Sequence, residues 1–475
     1  MASEQITDAI VVPRCAGGKS IYDVERIDAT NIREFLPDRR RRTDAARMFR
    51  ALGFSVHHYG GPAIVLRGPQ ALFNQRFQKP TDGVHGVRTE DVGQLADHVD
   101  RVSLVSRYHL HQSPASTPPQ LPYHHVAVPD GVAAAVRADD VAGATGAGVC
   151  VAVCDSGFFP HPWFTARGAR VTTKSLPGSG SGDSDEIGHG TAVTASLLSV
   201  APRCDVVSIK MQFGQGEEAS SDAVLSLQAA AAAGADVINC SWGRSVSGPG
   251  EMTSELRALE YVVAALVHSG RVIVATSGNY PRSDPAADGE FGYPGQHPDV
   301  ISVGGTYVGP DGHLAAADYA SGFVSEVYPG RSTPDVTGLC GLLPAGVLIA
   351  SPVPPGSMID RMAAVAPYPN GDDTGPDDGW ACLSGTSLAA PQVSGVIALV
   401  LELVPELRSA QRLRSLLRLT ARDVADGTSN PRAVQPEGSN RAAPGTDVAT
   451  GAGFVDASAA VAAALTLRNR SGADG

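Results

Sequence analysis

The chain has 475 residues, 43% hydrophobic and 18% charged, an ordinary globular composition with room for one large domain and a smaller one. Its net charge of -12 is uneven: residues 1–120 carry 16 Lys and Arg against 13 Asp and Glu, a balance of +3, which leaves -15 for the remainder. An acidic main part argues against a nucleic-acid partner.

The apolar runs and the cysteines indicate the cellular compartment in which the protein is expected. The N-terminus carries Glu4 and Asp8, and its apolar run from Ala9 ends at Pro13, whereas a secretory signal needs roughly 7 to 15 apolar residues behind a basic start. The most apolar stretch contains Glu402 and is short of the ~18 uninterrupted residues of a membrane helix, so no membrane association is expected. Seven cysteines, an odd number, fit a reducing compartment. These observations together predict a cytoplasmic location.

Residues 1–115 are predicted to form a small α+β domain. Its elements are expected at residues 10–12, 43–52, 54–58, 63–67, 69–77 and 103–106. Thr43 is a plausible N-cap of the first helix, Gly53 its stop, and Pro69 opens the second helix. The order strand, helix, strand, strand, helix, strand is the split pattern of ferredoxin-like domains.

Residues 116–129 are predicted to be a linker, because Pro, Ser, Thr and Gln dominate the chain there. In residues 130–465, short runs rich in Val, Ile and Ala alternate with helix-like stretches. Strands that read as continuous apolar runs between helices indicate a parallel sheet covered on both faces. We therefore expect a doubly wound, mostly parallel α/β domain, followed by a flexible tail over residues 466–475.

Four short segments hold the residue types that acyl transfer to a serine requires. Asp155 ends an apolar run within Asp-Ser-Gly, and His189 opens a helix-like stretch within Gly-His-Gly-Thr. Asn279 ends another strand-like run, and Ser387 stands in Gly-Thr-Ser-Leu-Ala-Ala-Pro before a long apolar helix. The reaction needs a hydroxyl, an imidazole, a carboxylate and donors for the oxyanion. Any one segment alone is as well explained by a turn or a cap, but together they form a candidate site.

In the order Asp, His, Ser these motifs resemble the subtilisin-like serine proteases, or subtilases, over roughly residues 122–462. The resemblance implies a serine endopeptidase in which Ser387 is the nucleophile, His189 the general base and Asp155 the group that orients the imidazole. It also implies that Asn279 and the backbone amide of Ser387 stabilise the oxyanion. The related sedolisins, which use an acidic oxyanion residue and lack the histidine, match less well.

The resemblance further implies a polypeptide substrate that lies in the cleft as an added strand. The residues implied to bind it are Ser241, Trp242 and Gly243 on one side, Gln212, Phe213 and Gly214 on the other, and Gly278 and Gly292 at the main pocket. Glu217 and Glu218 follow the second edge and either favour basic substrate side chains or form a solvated acidic loop.

Subtilases commonly carry a ferredoxin-like propeptide that assists folding and blocks the cleft. The size, position and element order of residues 1–115 therefore imply that this domain is an intramolecular inhibitor of a precursor, cleaved in the linker near Leu121. The alternative is a permanent recognition module.

No cofactor is expected, and no metal site is assigned. Structural calcium stays open, because many subtilases bind it and Asp residues cluster in residues 351–380. That insertion and the one at residues 307–331 are interpreted either as substrate-selecting lids or as disordered insertions. Two other functions remain: a maturation protease dedicated to one peptide or protein partner, and a peptide-binding pseudoprotease.

Overall fold

The computed structural model describes residues 6–15, 17–58, 60–77, 87–88, 95, 97–104, 107–110, 125–214, 217–279, 291–309, 311–342, 347–365, 372–430 and 440–473. Within these ranges the chain forms a small N-terminal domain with an antiparallel sheet and a larger domain with a mostly parallel sheet.

The N-terminal domain has the predicted ferredoxin-like connectivity. Its elements are β1 (Ile6–Pro13), α1 (Arg39–Ala51), β2 (Ser55–His57), β3 (Ile64–Pro69), α2 (Gln70–Arg76), β4 (Val87–Arg88) and β5 (Val99–Leu104). The sheet order is β2-β3-β1-β5-β4. Four phenylalanines, Phe49, Phe54, Phe73 and Phe77, pack together under the two helices.

The first helix begins earlier than the sequence predicted. Asp38 is the N-cap, since its side chain accepts a hydrogen bond from the backbone N–H of Arg41 at 2.7 Å. Thr43 lies inside the helix, where its hydroxyl donates to the carbonyl of Arg39. Between β1 and α1 the chain makes two short 3₁₀ turns, Ile21–Asp23 and Ile32–Glu34, which the sequence did not predict.

The larger domain holds the remaining elements. Its strands are β6 (Arg107–Leu110), β7 (His125–Ala127), β8 (Cys150–Asp155), β9 (Arg170–Ser175), β10 (Asp205–Lys210), β11 (Phe213–Gly214), β12 (Glu217–Ala219), β13 (Val237–Cys240), β14 (Trp242–Ser245), β15 (Val272–Thr276), β16 (Gly292–Tyr293), β17 (Ile301–Val308), β18 (Leu314–Ala316), β19 (Phe323–Val324), β20 (Ser332–Thr333), β21 (Val336–Leu339), β22 (Leu348–Pro352) and β23 (Trp380–Leu383). Its helices are α3 (Asp130–Ala135), α4 (Pro162–Ala166), α5 (His189–Val200), α6 (Ser220–Ala232), α7 (Ser254–His268), α8 (Met358–Ala364), α9 (Thr386–Leu403), α10 (Ala410–Thr420) and α11 (Ala457–Ala473).

The main sheet has the order β18-β17-β15-β13-β8-β10-β9, and β21 pairs with β17. Neighbouring strands run parallel except for β18. Alternate residues of β8 enter two different cores: Val151 and Val153 pack with α5 and α9, and Ala152 and Cys154 with α6 and α7. Helices therefore cover both faces of the sheet, and the predicted doubly wound architecture is confirmed.

Helix α9 runs through the centre of the larger domain. Among the described residues it alone has the length and mean hydropathy, 1.5, of a membrane span, and 89% of that window is buried inside the protein. Helix α11 continues to Ala473, so the segment predicted as a tail is helical to that point. In the predicted linker, residues 125–127 form β7, which pairs in parallel with β22.

The insertion at residues 351–380 is folded where it is described. It carries α8 between β22 and β23, which pair as an antiparallel hairpin. The backbone N–H groups of Met358 and Ile359 donate to the carbonyls of Glu186 and Ile187 at 3.0 and 2.9 Å. The insertion therefore supports the loop that leads into His189.

Candidate active site

A carboxylate and an imidazole meet where β8 ends and α5 begins. Asp155 is the last residue of β8 and is fully buried, and His189 is the first residue of α5. Nδ1 of His189 lies 2.7 Å from Oδ1 of Asp155, an oxygen that also accepts the backbone N–H of Ser156 at 2.7 Å. An imidazole held through Nδ1 presents Nε2 on its other side. Nε2 of His189 is buried and has no hydrogen-bond partner within the described part of the chain.

A second buried carboxylate, Asp185, holds the loop before the histidine. Its Oδ1 accepts from the hydroxyl of Ser156 at 2.7 Å and the backbone N–H of Gly188 at 2.9 Å. Its Oδ2 accepts from the backbone N–H and the hydroxyl of Thr191, at 2.9 and 2.7 Å. Asp185 thus ties the turn after Asp155 to the residues on both sides of His189. The role of Asp185 was not predicted from the sequence, although this acidic residue lies four positions before His189.

Close backbone packing also fixes this pair. Gly190 follows the histidine, and a Cβ on it would lie 2.2 Å from the carbonyl oxygen of Gly157. Only glycine fits where the two turns cross. The motifs around Asp155 and His189 therefore pack directly against each other.

Ser387 lies in the first turn of α9, behind the N-cap Gly385, whose φ of 150° is in the left-handed region. Its hydroxyl donates to the carbonyl of Ser241 at 3.1 Å, and its carbonyl accepts from the hydroxyl of Ser241 at 2.9 Å. These bonds join the start of α9 to the residue before β14. The positive end of the helix dipole lies at this serine and favours negative charge there.

The amide of Asn279 is oriented by the residue next to Ser387. Oδ1 of Asn279 accepts the backbone N–H of Thr386 at 3.0 Å and its hydroxyl at 2.8 Å. Because the atom that accepts both hydrogen bonds must be the amide oxygen, the other side-chain atom of Asn279 is the donor Nδ2. Asn279 is therefore held beside the start of α9 with its oxygen turned to Thr386.

Strand β6, which precedes the rest of the larger domain in sequence, lies between two strands near the candidate site. β6 lies in a second sheet of order β11-β12-β6-β14-β16. It is antiparallel to β14, with Leu110 opposite Trp242 and His109 opposite Gly243. It is also antiparallel to β12, with His109 opposite Glu217. The strand ends one position before the residue that would face Ser241.

The predicted second edge lies one strand further out. Phe213 and Gly214 form β11, which pairs with Glu217 and Glu218 of β12. The strand that borders β6 is therefore β12 and not residues 212–214, because the chain turns back on itself after Gly214. The backbone N–H of Gln212 donates to Asp222 at 2.6 Å.

Of the two predicted pocket glycines, Gly292 lies at a crowded backbone crossing and Gly278 has a positive φ. Gly292 donates its N–H to the carbonyl of Ser277 at 3.0 Å, and a Cβ on Gly292 would be 2.2 Å from that oxygen. Gly278 has a φ of 121°, which glycine adopts without strain. Gly292 pairs with Ser245, so it borders the strand that continues from Trp242 and Gly243.

The described residues contain no group of three or more His, Cys, Asp or Glu side chains that could hold a metal ion. In the acidic insertion, Oδ1 of Asp372 accepts from Thr374 and its Oδ2 from the backbone of Cys382, while Asp378 accepts from Gly375 and Trp380. These carboxylates stabilise turns.

All seven cysteines are free thiols. Burial raises the pKa of Cys154 and of Cys340 to about 12, so neither is ionised near neutral pH.

The doubly wound sheet, the buried Asp–His pair and the serine in the first turn of a buried helix are features of subtilisin-like serine peptidases. The model of the Subtilase family matches residues 146–453, and the chain belongs to that family. It is 28% identical over 295 residues to alkaline elastase YaB of Bacillus sp. (strain YaB), a match that covers 60% of this chain and 62% of the elastase. It is 29% identical over 307 residues to subtilisin DY of Bacillus licheniformis, covering 61% of this chain and 90% of the subtilisin.

A solved structure shares the fold across nearly the whole chain. Fervidolysin from Fervidobacterium pennivorans, described as a keratinolytic enzyme related to subtilisin, matches with a TM-score of 0.60 at 18% identity. The match covers 97% of this chain and 61% of fervidolysin. This chain thus spans under two thirds of the length of both the elastase and fervidolysin.

Proposed function

We propose that the protein is a serine endopeptidase that hydrolyses polypeptides through Ser387, His189 and Asp155. The proposal is supported by the 2.7 Å contact between Asp155 and Nδ1 of His189, at the start of the helix that packs against α9. The hydroxyl oxygen of Ser387 attacks the substrate carbonyl carbon, and its proton passes to Nε2 of His189. Asp155 keeps the imidazole in this tautomer and stabilises the imidazolium that forms.

The tetrahedral intermediate carries its negative charge on the former carbonyl oxygen. Nδ2 of Asn279 and the backbone N–H of Ser387 are the donors proposed for it, and the α9 dipole adds to their effect. His189 then gives the proton to the leaving amine, and water hydrolyses the acyl-enzyme by the same steps. His189 must be neutral when Ser387 attacks the substrate and again when water attacks the acyl-enzyme, because it accepts a proton in both steps.

The proposed substrate is an extended polypeptide bound between β12 and β14. β6 supports this, because it is a strand of the same chain that pairs with both edges. Main-chain hydrogen bonds to a sheet edge suit many sequences. The names of two relatives, an elastase and a keratinolytic enzyme, favour broad protein hydrolysis over a single dedicated partner.

We further propose that the chain is an inhibited precursor. The strand in the cleft comes from the N-terminal part, so that part blocks substrate binding while β6 is in place. Because β6 pairs with β14 as far as Leu110, the proposed cut is at a bond in residues 110–112. Leu121, near which the sequence predicts the cut, lies outside the described residues. The cytoplasmic location remains a prediction from the sequence.

The test compares wild type, Ser387→Ala and, as a matched control, Ser394→Ala, which removes another buried hydroxyl of α9. Wild type and Ser394→Ala are expected to lose a fragment ending at residues 110–112 and to hydrolyse casein. Ser387→Ala is expected to stay intact and inactive. Casein hydrolysis by pure Ser387→Ala would contradict the assigned nucleophile, and a fully active, intact 475-residue chain would contradict the precursor proposal.

A further inference from the structure

The N-terminal domain and the larger domain share a hydrophobic core. Eight N-terminal side chains, each at most 4% exposed, belong to the cluster that includes α6 and α7; they are Ile10, Val12, Ile21, Ile27, Ile32, Phe35, Ala63 and Val65. Leu227 of α6 and Leu259 and Val262 of α7 are buried in the same cluster. Burial of this kind is typical of permanent interfaces, whereas surfaces that separate are usually more polar.

Residues 20–36, here called the anchor segment, also form hydrogen bonds with the larger domain. The backbone N–H of Ile27 donates to the carboxylate of Glu260, and the Ile27 carbonyl lies 3.3 Å from Nε2 of His297. Nδ1 of His297 accepts the backbone N–H of Asp299, so Nε2 carries the hydrogen. Glu260 and His297 are both fully buried. Two buried polar groups of the larger domain therefore depend on the backbone of one N-terminal residue.

Three more hydrogen bonds join the anchor segment to the larger domain. The hydroxyl of Tyr261 donates to the carbonyl of Phe35 at 2.9 Å, in a fully buried position. The backbone N–H of Ala29 donates to Asp299 at 2.7 Å, and Arg257 donates to the carbonyl of Glu25 at 2.7 Å. Departure of the N-terminal domain would leave buried donors and acceptors to find new partners and would expose the apolar face.

β6 belongs to a different sheet from β1–β5, and the anchor segment is in neither sheet. β6 pairs with β12 and β14 of the larger domain, and within the described residues no strand of β1–β5 pairs with it. The anchor segment contacts α7, whereas β6 pairs with β14, the strand that follows Ser241, which is hydrogen-bonded to Ser387. One attachment can therefore be lost while the other is kept.

We propose that the N-terminal domain stays bound to α6 and α7 after the chain is cut, and that the cleft opens by the loss of β6 alone. The mature protein is then a two-chain complex in which the N-terminal domain is a structural subunit. Opening of the cleft rests on the proposed function, but retention of the domain does not, because any cut in residues 112–124 tests it.

Retention is measured in full-length Ser387→Ala carrying an inserted site for an unrelated sequence-specific protease, flanked by Gly-Ser, within residues 112–124. After complete cleavage, both fragments are expected to elute together in gel filtration as one 1:1 species, from micromolar down to nanomolar concentration. Two separate peaks, or loss of the larger fragment by aggregation while the smaller one remains monomeric, would overturn the proposal.

Two variants test the residues named. Ile27→Asp introduces a charge at a fully buried contact and is expected to weaken association of the cut fragments at least 100-fold. Tyr261→Phe keeps the ring and removes only the bond to Phe35, so it folds and is expected to speed dissociation several-fold. Arg40→Asp is the control, because this N-terminal side chain is 92% exposed, and it should leave both measurements unchanged. Equal dissociation rates of the cut fragments in all three variants would contradict the role proposed for the anchor segment.

The wild type separates this proposal from the proposed function. After self-cleavage, casein hydrolysis is expected to elute with the two-chain complex. If activity is found only in fractions that lack the N-terminal domain, opening by β6 alone is wrong. If the wild type never cuts itself while cleaved Ser387→Ala stays associated, the precursor proposal fails and retention stands.

Discussion

Thr386 directs two donors, its backbone N–H and its hydroxyl, at the same oxygen of Asn279, at 3.0 and 2.8 Å. These two hydrogen bonds orient the Asn279 amide so that its nitrogen is the group that can donate to an oxyanion next to Ser387. The orientation follows from the hydrogen bonds of a neighbouring residue and not from contact with a substrate.

Asn279→Ala is expected to lower kcat about 10²- to 10³-fold with little change in KM, the size of loss known for such a donor in a subtilisin. The donor acts on charge that develops only in the transition state, so ground-state binding is spared. Steady-state kinetics on a peptide substrate measures this. Thr386→Val, which leaves one of the two bonds to Oδ1, should give a smaller loss, and an increase in KM alone would contradict the role.

Asp185→Asn is expected to lower kcat about 10- to 100-fold, because small displacements of a catalytic group cost this much. The amide has one acceptor oxygen in place of two, so part of the network to Ser156, Gly188 and Thr191 is lost. A change in the pH profile of kcat should accompany the loss, since His189 is the group displaced. Asp183→Asn, an exposed carboxylate two residues earlier, is the control, and an equal loss there would remove the special role of Asp185.

The fold was predictable because its signals are local. Buried parallel strands are continuous apolar runs, and the motifs around Asp155, His189, Asn279 and Ser387 each follow a strand or begin a helix. The start of α1 was missed because Thr43 and Asp38 are both capping residues, and only the structure shows that Asp38 accepts from Arg41.

The contacts between distant segments were not predictable. No local pattern in residues 107–110 indicates a strand between β12 and β14, because its partners lie over 100 positions away in sequence. The anchor segment has the same character: Ile27 is an ordinary apolar residue in sequence, and its partners Glu260 and His297 are distant. Likewise, the sequence did not indicate that β12 (Glu217–Ala219), and not residues 212–214, pairs with β6.

Asp222→Asn is expected to change how stability depends on pH. Burial raises the pKa of Asp222 to about 7 from 3.8, with Arg67 and Asp8 as its charged neighbours. Between these two values the folded state holds a proton that the unfolded state has released, so Asp222 makes stability fall as pH rises from about 4 to about 7. Asparagine carries no charge and its oxygen still accepts from Gln212. In a Ser387→Ala background, the gain in Tm from Asp222→Asn should therefore grow over this interval. A difference in Tm between the two proteins that does not change with pH would contradict the raised pKa of Asp222.

Gly292→Ala is expected to damage the substrate pocket, because the new Cβ would lie 2.2 Å from the carbonyl oxygen of Ser277. Backbone must move to relieve this contact, and Ser277 and Gly278 lead to Asn279. We expect lower kcat/KM on peptides and a lower Tm. Gly250→Ala, at an exposed position with no atom within 4 Å of the added Cβ, is the control. Unchanged kinetics in Gly292→Ala would place the pocket elsewhere.

Labelling with a fluorophosphonate, followed by peptide mapping of the adduct, tests directly whether Ser387 is the nucleophile. The predicted result is one adduct on Ser387 in the self-cleaved wild type, with none in Ser387→Ala and strongly reduced labelling in His189→Ala. A single adduct on any other serine, or equal labelling of Ser387→Ala, would contradict the assignment of Ser387, His189 and Asp155 as the catalytic residues.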